Sequence, residues 1–167
     1  MNRNTVARRV SISGMLLALN TLVFILVNYI PTNTIAFLAL ASFFAAIVII
    51  EFGLKYGCIY TIASVLMALL ILSNKLHFLT YLLTFGTYGV VKAIIEMNFK
   101  NSLQLLVKFI YSSIAFFVLY YVAIMFIKID FNILYILAFE VAFFVYDFVY
   151  TQFIYFYNDK LKKRFKL

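Results

Sequence analysis

From residue 10 to residue 50 the chain carries no Lys, Arg, Asp or Glu, and its one proline, Pro31, falls inside that run. A helix that crosses the hydrocarbon of a bilayer needs about 20 consecutive apolar residues and tolerates about 17. In lipid the backbone polar groups must be satisfied internally, which leaves helices as the simplest form for such a run. Pro31 cannot continue a helical hydrogen-bond ladder. The run therefore divides into helices at about 10–30 and 34–50, joined by the tight turn "PTNT", with Thr32 or Asn33 placed to cap the second. Cutting the rest of the chain at its polar punctuation predicts four more spans, at about 56–72, 76–96, 103–127 and 133–157. The connections are "EFGLKYG", with Gly53 and Gly57 supplying backbone freedom, then "SNK", "NFKNSLQ" and "KIDFN".

Composition agrees with this class. Apolar residues make up 66% of the chain and charged residues 12%, against about half and about a quarter in a soluble domain. A globule of 167 residues cannot hide that much hydrocarbon from water. The expected fold is an all-α integral membrane protein, with six transmembrane helices in one bundle and a single domain over 1–167. The basic start and the apolar run after it look like a signal peptide. No A-x-A-like cleavage site follows, so a retained first helix is expected.

The formal charge of +8 would suggest nucleic acid in a soluble chain. In a membrane protein Lys and Arg collect on the cytoplasmic side. Six spans put both termini on one side, with Arg3, Arg8, Arg9, Lys55, Lys92, Lys100, Lys108, Lys160, Lys162, Lys163, Arg164 and Lys166. Only Lys75 and Lys128 fall on the other. Both termini are therefore expected in the cytoplasm, with the lipid bilayer as partner and no role for nucleic acid. The tail "KLKKRFK" suits anionic lipid, at about 1 kcal/mol per basic residue near the surface. Enzyme templates fail: there is one cysteine, Cys58, one histidine, His77, no metal constellation and no phosphate loop. No catalytic residue, metal or cofactor is assigned.

Two carboxylates in the last span need a reason, because a charge at the bilayer centre costs at least about 2.5–3.5 kcal/mol. Glu140 lies about 10 Å below the outer end and Asp147 about 10 Å deeper, at 1.5 Å per residue. Seven residues are close to two turns, so both point one way. Lys92 on the fourth span reaches a depth similar to Asp147, which predicts a buried Lys92–Asp147 ion pair with Glu96 sharing the lysine. Glu140 has no cation at its depth. Either it is protonated by burial and hydrogen-bonded to a tyrosine, or it lines a pocket open to the outside. Asn28, Tyr29, Asn33, Lys75, His77 and Tyr81 share that outer half. Glu140, Asn28, Tyr29, Asn33, His77 and Tyr81 form the candidate ligand-binding set, although Tyr, Lys and His are also ordinary headgroup-level residues.

Small residues recur at four-residue spacing, as Gly14 and Ala18 in "GMLLA" and Ala41 and Ala45 in "ASFFA", a pattern that lets helices approach closely. Glu51 and Lys55 stand at i,i+4, a local pair if the helix persists.

The basic start, "ISGMLLALN" opening the first helix, six short spans and the segments "VIIEFGLKYG", "FGTYGVVKAIIE" and "VYDF" together resemble a known family. They are similar to substrate-binding S components of energy-coupling factor (ECF) transporters, or to an uncharacterised S-component-like group of small bacterial membrane proteins. The chain departs from the former in a very short first connection and in lacking tryptophan. The resemblance implies a bacterial cytoplasmic membrane and uptake of a vitamin or precursor-like small molecule held in the outer half. It also implies a transmembrane coupling subunit with two ATPases as partners, docked on the small-residue motif that Gly14 and Ala18 match. The alternative is a non-catalytic membrane scaffold or envelope-assembly subunit, which needs no outer polar set.

Overall fold

A computed structural model of the protein describes residues 3–126 and 132–161. Residues 128–131 of the expected last turn "KIDFN", with Lys128, the end of the fifth span at 127, and Lys162, Lys163, Arg164 and Lys166 lie outside the described residues. Among the described residues no strand occurs. Six stretches of the described residues are helical, long and apolar enough to cross a membrane: Val6–Tyr29, Pro31–Phe52, Leu54–Ile71, Lys75–Asn98, Asn101–Met125 and Ile133–Lys160.

Helix α1 (Arg3–Tyr29) stops where Ile30 leaves helical geometry, and one 3₁₀ turn (Pro31–Asn33) leads into α2 (Thr34–Phe52). Asn33 occupies the cap position of α2 but makes no side-chain cap. The 3₁₀ turn supplies other partners, with Asn33 N donating to Ile30 O at 3.5 Å and Thr34 Oγ1 to Pro31 O at 3.0 Å. Gly53 alone separates α2 from α3 (Leu54–Ile71), at φ +87° and ψ 170°. That backbone region belongs almost entirely to glycine. Gly57 is not part of the connection; it is buried inside α3. Glu51 and Lys55 thus stand on different helices.

The fourth span is not a uniform α-helix. It consists of α4 (Lys75–Thr80), a π-helical turn (Tyr81–Gly86) and α5 (Tyr88–Asn98). Thr80 Oγ1 donates to Leu76 O at 2.8 Å and Thr87 Oγ1 to Leu82 O at 2.8 Å, the kind of back-bonding that bends a helix. Gly86 admits the Tyr81 ring, since a Cβ there would lie 2.7 Å from it. Helices α6 (Asn101–Phe126) and α7 (Ile133–Phe156) follow, and α7 runs into a second π turn (Tyr157–Leu161). Asn74 and Asn132 cap their helices by accepting from Leu76 N and Leu134 N, each at 2.9 Å.

The chain forms two compact units, one up to Val90 and one from Val91, so the division falls inside α5. In the first, α1, α2 and α3 pack around Leu16, Ala45, Val48 and Tyr60. Helices α1 and α3 run in the same direction, since Leu16 meets Tyr60, Asn20 meets Ser64 and Asn28 meets Ile71. In the second unit α6 and α7 are antiparallel. Rings pair at Phe116–Phe139 (5.3 Å), Tyr111–Phe143 (6.0 Å) and Phe109–Phe144 (6.4 Å), so positions falling on α6 meet positions rising on α7.

Candidate functional site

The second unit gathers charge from three helices. Lys92 on α5 is 1% exposed. Its ammonium donates to Asp147 Oδ1 on α7, to Thr151 Oγ1 at 2.8 Å and to Glu96 Oε1 at 2.8 Å. Thr151 spends its own proton on Asp147 O at 2.7 Å, which leaves its lone pair facing the lysine. Lys108 on α6 donates to Asp147 Oδ2 at 3.0 Å and Glu96 Oε1 at 3.2 Å. Both carboxylates sit at four-residue spacings, Glu96 from Lys92 and Asp147 from Thr151, so each helix presents its pair on one face. Two ammoniums face two carboxylates, and the group is neutral as a whole. The structure therefore brings Lys92 and Asp147 together and adds Lys108, which its sequence position marks only as one more cytoplasmic-side charge. Chemically, this cluster clasps α5, α6 and α7.

Two turns away on the same α7 face, Glu140 has different company. It is 7% exposed. Ser113 Oγ donates to its Oε1 at 2.9 Å, and Ser112 Oγ lies in hydrogen-bond contact with its Oε2. Among the described residues no Lys, Arg or His nitrogen lies within salt-bridge distance of Glu140. The hydroxyl partners are serines of α6, not a tyrosine; the antiparallel register places "SS" at 112–113 opposite position 140. Glu140 also lines a groove of about 460 Å³ with Leu137, Val141, Phe144, Val145 and Phe148. The wall of this groove is almost wholly hydrocarbon, because the Glu140 carboxyl is turned to the serines of α6.

The other residues of the expected ligand set fall in the first unit. Asn28 donates to Ile71 O at 2.8 Å and accepts from Ser73 N at 3.1 Å, latching the end of α1 to the end of α3. Tyr29 is 79% exposed, Asn33 is exposed and His77 is half-buried. Tyr81 is fully buried instead of lining an outer surface, drawn inward by the π turn. Its hydroxyl meets Ser64 Oγ at 2.6 Å, and its ring stands edge-on to Phe24 at 4.8 Å. Asn20 Nδ2 donates to Ser64 Oγ at 2.7 Å and Tyr60 OH at 3.3 Å, and Tyr60 donates on to Leu16 O. Asn20, Tyr60 and Ser64 carried no signal in the sequence, being single polar residues in apolar runs with partners some forty positions away.

The two small-residue pairs also part ways. Ala41 and Ala45 are buried, at 0% and 1% exposure, and serve packing within the first unit. Gly14 and Ala18 are exposed, and a Cβ at Gly14 would meet nothing within 4 Å. Among the described residues no three His, Cys, Asp or Glu side chains converge as metal ligands would.

Among the described residues, fold and site define an all-α protein with six helices suited to span a membrane, one half-buried carboxylate compensated by lysines and one buried carboxylate held by serines. Compared with family models, curated proteins and solved structures, the chain matches none.

Proposed function

We propose that the protein is a multi-pass protein of a bacterial cytoplasmic membrane, with both termini in the cytoplasm, and the substrate-binding subunit of an ECF-type uptake transporter. Its surface supports the membrane reading: Ile62, Leu70, Leu105 and Val141 are each more than 60% exposed, at a cost in water of about 25 cal/mol per Å² of apolar area. The skew of Lys and Arg supports the orientation.

Glu140 carries the functional part. Asp147 has two lysines to offset its partial burial, whereas Glu140 sits beside an apolar groove with two serine hydroxyls and, among the described residues, no cation. A carboxylate kept in hydrocarbon without a protein counter-charge supports a ligand site there, for a small vitamin or precursor-like molecule taken from outside. Coupling and ATP hydrolysis would belong to a separate transmembrane subunit and its ATPases, docked at Gly14 and Ala18. The test pairs uptake assays of candidate solutes with purification from native membranes in mild detergent. Glu140→Gln should lower uptake at least tenfold, and the coupling subunit and ATPases should be retained with the wild type. Undiminished uptake in Glu140→Gln for every candidate would sink the reading.

A second reading rests on the same open Gly14–Ala18 face, where a Cβ at Gly14 would meet nothing within 4 Å. A non-catalytic scaffold would dock an envelope-assembly protein there. Recovery of envelope-synthesis proteins without any ATPase in the same purification decides for it.

A further inference from the structure

We infer that Glu140 is a proton-binding site, a neutral carboxylic acid whose Oε2–H donates to Ser112 Oγ. The ground is a count of hydrogens. A serine hydroxyl has one proton to give and lone pairs with which to accept. Ser112 Oγ lies 2.9 Å from Phe109 O and in hydrogen-bond contact with Glu140 Oε2. A backbone carbonyl carries no hydrogen, so the proton between Ser112 and Phe109 O comes from the serine. What Ser112 then turns to Glu140 is a lone pair, as Thr151 turns one to Lys92. An ionised Oε2 would face that lone pair with no hydrogen between them. A carboxylic acid completes the bond. Ser113 supplies the other half by donating to Oε1 at 2.9 Å, which is then the carbonyl oxygen of the acid.

The surroundings agree. Glu140 is buried, and the α7 residues beside it are hydrocarbon. The nearest charged groups along the two helices are Lys108, one turn from Ser112, and Asp147, two turns from Glu140. These two are bonded to each other at 3.0 Å, and Lys92 and Glu96 of α5 belong to the same cluster. Among the described residues none of these cations reaches Glu140. A buried carboxyl without a counter-charge loses less by holding a proton than by standing ionised. The two acids of α7 are thus compensated differently, Asp147 by lysines and Glu140 by its own proton. This goes beyond the uptake reading and does not depend on it, because the proton serves whenever no ligand is present.

The experiment is infrared spectroscopy of the full chain at neutral pH in dodecyl maltoside, a detergent without carbonyl groups, in H2O and in D2O. A carboxylic acid C=O band equivalent to one group per chain is expected, shifted down in D2O and lost in Glu140→Gln. Ser112→Ala removes the acceptor and should shift the band. Glutamate labelled with 13C at the side-chain carboxyl should shift it in the wild type, where no substitution disturbs the fold. No such band in the wild type, its survival in Glu140→Gln, or an unmoved band in Ser112→Ala would each overturn the inference. Uptake that needs Glu140 in a protein without the band sinks this inference and keeps the uptake reading. The band together with undiminished uptake in Glu140→Gln does the reverse.

Discussion

Asp147 is shared by two lysines, and removing its charge would leave Lys92 and Lys108 facing Glu96 alone. Breaking a buried pair by removing one partner commonly costs about 3–5 kcal/mol, so Asp147→Asn should lower unfolding stability in detergent by that order. Glu96→Gln should cost less, since its side chain is 38% exposed and water screens it. Adding Lys108→Met to Asp147→Asn leaves one ammonium and one carboxylate, and should recover more than half of the loss. An Asp147→Asn protein as stable as Glu96→Gln would contradict the charge count. At this scale the sequence was partly legible. Depth on two spans running the same way puts Lys92 level with Asp147, because hydrocarbon leaves few other partners. Depth alone cannot say which third helix closes the cluster, and Lys108 stayed hidden for that reason. Ser112 and Ser113 stayed hidden too, as pairs of small hydroxyls are common in membrane helices and mark nothing until a register puts them opposite a carboxylate.

Among elements, the spans were legible because bilayer thickness sets a length that apolar runs either reach or miss. The π turn was not. Thr80, Thr84 and Gly86 are compatible with a straight helix, and only the Tyr81 ring lodged against Gly86 shows why the turn widens. Connections make a sharper test. At Gly53 the backbone lies at φ +87° and ψ 170°, so Gly53→Ala should destabilise by about 1–3 kcal/mol in detergent unfolding. Gly14→Ala, in open space within a helix, should change stability by no more than about 1 kcal/mol, in the stabilising direction. Equal losses at both positions would mean that α2 and α3 do not depend on that one residue.

For the molecule as a whole, the proposed topology of six spans has both ends on one side. With Cys58 replaced by alanine, Thr32→Cys in the first connection should react with a membrane-impermeant maleimide added to intact cells. Ser102→Cys, beside the linker that carries Lys100, should react only after permeabilisation. The reverse pattern would invert the topology and move Glu140 to the inner half. The neutral cluster also bears on how the chain is made. Helix α5 carries its own i,i+4 pair, Lys92 with Glu96 at 2.8 Å. Helices α6 and α7 each bring a charge, Lys108 and Asp147, that meets its opposite on the other. Neither can pass from the membrane insertion channel into lipid alone without carrying an unpaired charge into hydrocarbon, at a cost of about 2.5–3.5 kcal/mol. Entry as a joined hairpin avoids that cost, so insertion of α6 is expected to wait until α7 has been translated.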